Sequence, residues 1–221
     1  MPLAGKGMLL TSMDVDAADE PDFNRWYDRE HLQERVAIEG FVEARRYVAH
    51  RGSPKYLCLY STESFEVLDS PAYRAALANP TGWSTATMAR FKNMIRSVAR
   101  ITISRGVGRG AALGIVRLRE GNDRVRAALK DKLDPAALDG IISMHLIEGD
   151  PVLSRPIGAD PASANPGAGD WFVLIDGTDV DAVAEIVAAR FSDASGFKPA
   201  SVIATGVYRL MWDLAKQDIP G

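Results

Sequence analysis

The residues of this chain best suited to chemistry lie in its first quarter. Tyr27, His31 and Arg35 follow one another at intervals of four, so a continuous helix places the three side chains on one face, within reach of each other. A histidine titrates near neutral pH and can accept or donate a proton. The spacing therefore predicts an acid/base site centred on a catalytic His31. One alternative stays open: His31 bonds a backbone carbonyl at a helix end, and Trp26 and Tyr27 only pack in the core.

A second group of functional candidates lies on the two strands that follow. Alternation along residues 41–50 places Arg45 and Tyr47 on one face. If the leucines of the next strand face the helices, Tyr56 and Tyr60 turn to that same opposite face. A guanidinium among tyrosines can hold negative charge on a carboxylate, enolate or carbonyl oxygen, which predicts Arg45 as a catalytic residue. The alternative is that Arg45 pairs with an acid and the tyrosines pack an interface.

The predicted substrate-binding residues are aromatic. Trp26, Tyr27, Tyr47, Tyr56 and Tyr60 would shape the pocket, and Trp83, which follows a Pro-Thr-Gly turn, would cover it. Burial of that indole against the first helix is the alternative. Asp14, at the end of the first strand, is expected either to orient His31 or to cap the following helix.

These residues belong to a pattern of elements that occurs twice. Hydrophobic periodicity and turn residues predict the order strand, helix, strand, strand, helix, strand in each half. The predicted strands are 7–15, 41–50, 55–62, 92–104, 111–119, 143–148, 171–176 and 201–212; the helical regions are 22–40, 64–90 (broken by Pro71 and Pro80), 122–138 and 180–191. This order is typical of an antiparallel four-stranded sheet with both helices on one face, the ferredoxin-like arrangement.

Two such sheets each leave one apolar face bare, and they can cover it by packing against each other. The predicted fold class is therefore α+β, with two ferredoxin-like repeats packed sheet to sheet as a barrel-like unit. The repeats are expected at 1–105 and 111–221, joined by a glycine-rich linker at 106–110. The glycines of that linker precede a strand, whereas those of a dinucleotide-binding loop open a helix.

The run from Phe23 to Leu32 (FNRWYDREHL), followed by Gly40-Phe41 and then Arg45-Arg46-Tyr47, resembles the helix and second strand of the dimeric α+β barrel superfamily, and in particular its EthD-like branch. The resemblance covers residues 1–60 well, and the second half shares only the element order. It implies a ferredoxin-like barrel, small hydrophobic or oxygenated substrates, frequent lack of a cofactor and a helix histidine near the pocket. The superfamily also includes monooxygenase-like, isomerase-like and haem-dependent members, so the reaction stays open.

Composition excludes several classes of partner. A net charge of -3, with arginines interleaved among acids, provides no positive field for nucleic acid. No apolar run approaches the roughly 20 residues that span a bilayer, and the first residues lack the layout of a signal peptide. We therefore expect a cytoplasmic protein with no membrane partner.

Metal and cofactor sites are not expected. The three histidines lie far apart and away from cysteine or carboxylate clusters, which argues against a metal site. No cofactor is predicted, although haem bound through His145 in an apolar strand stays open as an alternative.

Together these observations predict a cofactor-independent enzyme that uses acid/base chemistry on a small oxygenated or aromatic metabolite. Whether the protein is an enzyme stays open, because a non-catalytic ligand-binding or assembly module explains the same residues. A haem-binding protein is the third alternative. Sheet edges left unpaired by the fold would favour a homodimer.

Overall fold

The computed structural model describes residues 3, 5–119, 121–155, 167–192 and 201–219. Eight antiparallel strands form a closed barrel in the order β1-β3-β2-β8-β5-β7-β6-β4. The strands are β1 (Gly7–Asp14), β2 (Phe41–Arg51), β3 (Tyr56–Thr62), β4 (Lys92–Gly106), β5 (Ala112–Leu118), β6 (Ile141–Gly149), β7 (Trp171–Gly177) and β8 (Val202–Ala215). The α+β fold class predicted from the sequence is confirmed.

Helices pack on the outside of this barrel. They are α1 (Glu20–Trp26), α2 (Leu32–Ala37), α3 (Pro71–Ala78), α4 (Gly82–Met88), α5 (Asp123–Lys132) and α6 (Val180–Phe191). A π-helical segment, Tyr27–His31, joins α1 to α2, and short 3₁₀ segments lie at Phe65–Asp69 and Lys216–Asp218. None of the helices in the described part of the chain is both long and apolar enough to cross a membrane.

The two halves of the chain join through hydrogen-bonded strand edges. Strands β4, β1, β3 and β2 are neighbours in the first half, and β8, β5, β7 and β6 in the second. The pairs β2·β8 and β4·β6 then close the barrel. Each of these eight strands therefore has a partner on both sides, which removes the open sheet edges that would favour pairing with another chain. The division into repeats at 1–105 and 111–221 stays a prediction.

The apolar side chains divide into three cores. One fills the barrel interior and includes Met8, Leu10, Leu57, Leu59, Leu113, Ile147, Phe172 and Leu174. A second lies between the outer face of the first half and helices α1 to α3, and a third lies between the second half and helices α5 and α6. The second core is the most aromatic of the three, with Phe23, Trp26, Tyr27, Phe41, Tyr56, Tyr60, Phe65 and Tyr73.

A buried ion pair crosses the barrel interior near the chain segment that joins the halves. Arg45 on β2 donates from Nη2 to Asp176 Oδ1 on β7 at 2.8 Å and to the Gly110 carbonyl at 3.1 Å. The Gly110 N–H donates to the same carboxylate at 3.3 Å. A Cβ on Gly110 would lie 1.8 Å from the Gly177 carbonyl oxygen, so only glycine fits this approach. The ion pair therefore fastens residues 106–110 to strands of both halves.

One predicted helical region is shorter in the structure, and another is divided where the prolines predicted it. The helix expected at 122–138 ends at Lys132, because Pro135 disfavours helical geometry in the residue before it. The region 64–90 is broken as predicted: Ser70 caps α3, which begins at Pro71, and the Thr81 side chain caps α4.

The Arg45–Asp176 pair generates a stability prediction. Replacement of Arg45 by Met leaves the Asp176 carboxylate buried without its charge partner, which we expect to cost about 3–5 kcal/mol of unfolding free energy. The double variant Arg45→Met with Asp176→Leu removes both charges and should recover most of that loss. Chemical denaturation measures both values, and a single variant within 1 kcal/mol of the parent would contradict this role.

Candidate functional site

A cavity of about 480 Å³ lies between the helices of the first half and the outer face of β1, β3 and β4. Its walls combine aromatic, sulfur-containing and basic side chains, and none of the described residues that line it carries a carboxylate. Met88 and Met94 are partly exposed at its rim. The lining residues are Leu9, Thr11, Met13, Trp26, Tyr27, His31, Arg35, Tyr60, Tyr73, Leu77, Met88, Phe91, Met94, Arg96 and Ser154.

The π-helical segment arranges the cavity wall that carries the histidine. The Leu32 N–H donates to the Tyr27 carbonyl, five residues back. Residues five apart lie on different sides of an α-helix, which has 3.6 residues per turn, but a π turn brings them together. Trp26 and His31 accordingly stack, with ring centroids 4.0 Å apart and an interplanar angle of 24°. Single π turns inside helices occur frequently at functional sites.

His31 is neutral in this environment. Its side chain is buried, and its Nδ1 is enclosed without a hydrogen-bond partner among the described residues. Burial lowers the pKa of His31 well below its ordinary value of 6.5, and the positive charges of Arg35 and Arg46 act in the same direction. An uncharged imidazole beside a cavity can accept a proton from a bound molecule.

A hydrogen-bonded network fixes the position of Trp26 and so supports its stack on His31. Trp26 donates from Nε1 to Ser84 Oγ at 3.1 Å. Glu30, within the π segment, accepts from Ser84 Oγ at 3.3 Å and from Thr81 Oγ1 at 2.6 Å. This network ties the start of α4 to the π segment, so the orientation of the indole and of the imidazole on it is set by two elements.

Two phenols and a hydroxyl complete the polar part of the wall. The hydroxyl groups of Tyr60 and Thr11 are enclosed and interact with the phenol of Tyr27. Tyr27 contacts the Met13 Sδ at 3.8 Å. Burial raises the pKa of Tyr27 and of Tyr60, so both phenols keep their protons and can donate hydrogen bonds.

The prediction that Tyr56 and Tyr60 share the barrel interior with Arg45 is wrong. Both tyrosines lie in the core between sheet and helices, and it is Leu57 and Leu59 that face the interior. Alternation assigns the side chains of a strand to two faces of the sheet, but it does not show which face lies toward the barrel interior. Because the barrel interior is as apolar as the helix side, the leucines fit there equally well.

Tyr56 and Tyr60 nevertheless differ in position. Tyr60 lines the cavity, whereas Tyr56 does not. The Tyr56 ring packs on Phe23, with centroids 4.8 Å apart, and its hydroxyl accepts from Asn24 Nδ2 at 3.5 Å.

Arg45 and Tyr47 lie on the other face of the sheet from His31. The prediction that both side chains face the barrel interior is confirmed. The Arg45 Cζ lies 5.2 Å from the centroid of the Tyr47 ring. Arg45 pairs with an acid there, which was the alternative interpretation of this residue. The structure therefore brings together Trp26, Tyr27, His31 and Tyr60, and it separates them from Arg45 and Tyr47.

Trp83 and Asp14 also lie outside the cavity wall. Trp83 packs against the first helix, where its Nε1 donates to Asp22 Oδ2 at 3.4 Å and Arg25 lies over its ring. Asp14 accepts from the Lys55 N–H at 2.6 Å and from Asn93 Nδ2 at 2.8 Å. It thus ties strand ends together and neither orients His31 nor caps α1.

Sequence reasoning missed the part of the wall that comes from distant elements. Tyr73 on α3, Met88 on α4 and Arg96 on β4 join the cavity from positions more than 40 residues after His31. A second cavity of about 440 Å³ shares Tyr73, Leu77 and Arg96 with the first. No local spacing links these residues to the histidine helix.

The described residues do not provide a metal site, since no group of three or more His, Cys, Asp or Glu among them is placed to bind an ion. His145 also does not fit an axial haem ligand. It is fully buried away from the cavity, and its two ring nitrogens lie 3.0 Å from Ser104 Oγ and Ser143 Oγ. Both nitrogens are therefore already occupied.

Comparisons with known proteins identify the fold. No protein-family model and no curated protein shows significant similarity to this sequence. Among solved structures, an anthrone oxidase-like protein matches with a TM-score of 0.65 and 10% identity over 98% of this chain and 95% of that one. A provisionally named monooxygenase from Fusobacterium nucleatum matches with a TM-score of 0.57 and 8% identity, over 96% of this chain and 95% of that one.

The encapsulated DyP-type peroxidase from Mycobacterium smegmatis matches with a TM-score of 0.54 and 10% identity, over 100% of this chain and 96% of that one. At these identities the similarity is one of fold, that of the dimeric α+β barrel proteins. The fold expected from the resemblance is thereby confirmed, and the function must be argued from the site.

The environment of His31 generates a pH prediction. Its pKa is lower in the folded protein than in the unfolded chain, so the unfolded chain gains a proton first as pH falls below 6.5. The free energy of unfolding should therefore decrease as pH falls through that range, by up to about 1.4 kcal/mol per pH unit.

Urea denaturation at several pH values between 7.5 and 5.5 measures this slope. His31→Phe keeps a ring on Trp26 but cannot titrate, so it should flatten the slope relative to the parent. His50→Phe is the matched control, because His50 is exposed, and it should leave the slope unchanged. Equal slopes for the parent and His31→Phe would show that His31 is not held neutral.

Proposed function

We propose that this protein is an enzyme of EthD-like type that acts on a small oxygenated or aromatic metabolite by acid/base chemistry without a cofactor. The observation that carries the proposal is a neutral, buried imidazole in the wall of a cavity large enough for a small molecule. Pockets of roughly 300–1,000 Å³ that are mostly apolar, with a few convergent polar groups, are typical ligand sites.

In the proposed reaction His31 accepts a proton from a carbon or hydroxyl group of the bound substrate. Removal of that proton places negative charge on a conjugated oxygen. The protonated phenols of Tyr27 and Tyr60 line the same cavity and would donate hydrogen bonds to this oxygen as its charge develops. The proton then returns from His31 to the product, so the cycle balances without an external oxidant.

The stack on Trp26 supports the same role for His31. The centroids of the indole and the imidazole lie 4.0 Å apart, and the face of a tryptophan attracts a cation. The imidazolium that forms when His31 takes a proton is thus stabilised by the ring beneath it. A positioned acid/base group of this kind contributes typically 10²- to 10⁴-fold to a rate.

Proton exchange tests this proposal without knowledge of the final product. Candidate hydroxylated aromatic compounds and aryl ketones are incubated with the protein in D₂O, and loss of carbon-bound protons is followed by NMR. The parent should exchange at least one candidate, and His31→Phe should slow this exchange by about 10²-fold or more.

His50→Phe provides the matched control, since it removes the same side chain from an exposed hairpin position, and it should exchange like the parent. Retention of full exchange in His31→Phe would remove His31 from the mechanism. Saturable binding with no exchange by any candidate would favour the non-catalytic ligand-binding module instead.

A further inference from the structure

Arg35 is a buried cation that makes no ion-pair contact in the described part of the chain. Arg35 is 6% exposed, yet it makes no hydrogen bond and no ion pair with any other described residue. The adjacent Glu34 carboxylate acts on it only through space. The other two buried arginines of the first half are paired, Arg45 with Asp176 and Arg46 with Asp28. Because a buried charge without an ion-pair contact is costly, we expect the guanidinium of Arg35 to bind an anion that the described residues do not supply.

The position of Arg35 shows where that anion would lie. Arg35 lines the 480 Å³ cavity one turn beyond His31. Its nitrogens are not among the fully enclosed polar atoms that lack a partner, so they keep accessible surface for a ligand. Among the described residues no aspartate or glutamate lines this cavity, and the charge of Arg35 therefore acts on the molecule that occupies it.

A second guanidinium reaches the same cavity from β4. Arg96 donates to the carbonyl groups of Leu153 at 2.6 Å and Arg155 at 3.3 Å, and to the Tyr73 hydroxyl at 3.3 Å. These acceptors are all uncharged, so they hold the side chain in place without neutralising it. In a protein with a net charge of -3, this cavity is thus a local positive site.

The other residues of the cavity wall indicate what kind of molecule bears the anionic group. Trp26, Tyr27, Phe91 and the methionines at the rim present flat and polarisable surfaces, which suit an aromatic ring. The planar fork of a guanidinium matches the two oxygens of a carboxylate. We propose that the cavity binds a small aromatic carboxylate, with its carboxylate on Arg35 and within the field of Arg96, and its ring against Trp26 and its neighbours.

This inference rests on the proposed function, whose substrate class it specifies. It also links binding of an anion at Arg35 to the basicity of His31. The charge of Arg35 is one cause of the lowered pKa of His31, and a carboxylate on Arg35 would offset it. A bound acid would therefore make His31 a stronger base, whereas a neutral compound of the same shape would not.

Paired ligands that differ only in charge test the proposal. The binding of 2-hydroxybenzoate and 1-naphthoate is compared with that of their neutral amides by titration calorimetry. At least one acid should bind the parent about tenfold or more tightly than its amide. Arg35→Met should weaken binding of that acid by about 10- to 100-fold and leave the amide unchanged, as expected for one charge-assisted hydrogen-bonded pair.

The stability of the Arg35→Met variant distinguishes a ligand-binding role of Arg35 from a structural role. Arg35→Met removes a buried charge that makes no ion-pair contact, so the ligand-free variant should unfold at the same or higher denaturant concentration than the parent. A structural arginine would cause a loss of stability instead. Arg35→Lys should retain part of the preference for the acid, and Arg124→Met, which removes an exposed arginine of α5, should behave like the parent in every measurement.

The outcomes distinguish this inference from the proposed function. Acid binding that depends on Arg35, without exchange that depends on His31, would keep the anion site and reject the enzyme. Exchange on neutral compounds, with no preference for acids, would keep the enzyme and reject the anion site. The inference is overturned if neither acid binds, if acid and amide bind equally, or if inorganic phosphate binds as tightly as the acids.

Discussion

Closure of the barrel is the constraint on which the rest of this structure depends. The pairs β2·β8 and β4·β6 join the two halves into one ring of eight strands. An eight-stranded barrel can have an interior just wide enough for side chains to fill, and here apolar side chains and the Arg45–Asp176 pair occupy it. The 480 Å³ cavity lies instead on the outer face, between the sheet and the helices of the first half.

The buried arginines show how the same side chain acquires different roles. Arg45 satisfies its charge with Asp176 across the barrel and also binds the Gly110 carbonyl, so its contribution is to assembly of the halves. For Asp176 itself, burial acts to raise the pKa, but His145 and Arg45 outweigh it and leave the pKa lowered. Its stabilising charge is thus present above pH 3.8 and is lost as pH falls below that value. Arg35 has no such ion-pair contact among the described residues, and the proposed anion site rests on this difference.

The histidine helix illustrates how a local irregularity positions a site. A regular α-helix from Glu20 to Ala37 would turn Trp26 and His31 to different sides. The π segment between them places the imidazole flat on the indole, and the contacts of Glu30 with α4 hold the pair in place. The resulting group is neutral, enclosed and directed to a cavity, which are the properties expected of a proton acceptor.

The sequence by itself determined the element order, the α+β class and His31 as the candidate, because hydrophobic periodicity and turn residues are local properties. It also placed Arg45 and Tyr47 on the interior face correctly. Only the tertiary structure decided which face of β3 carries Tyr60, that Arg45 pairs with Asp176 131 residues away, and that Tyr73 and Arg96 complete the cavity. These contacts form between elements that lie far apart in the chain. The spacing of residues within one segment carries no information about which distant element it will contact.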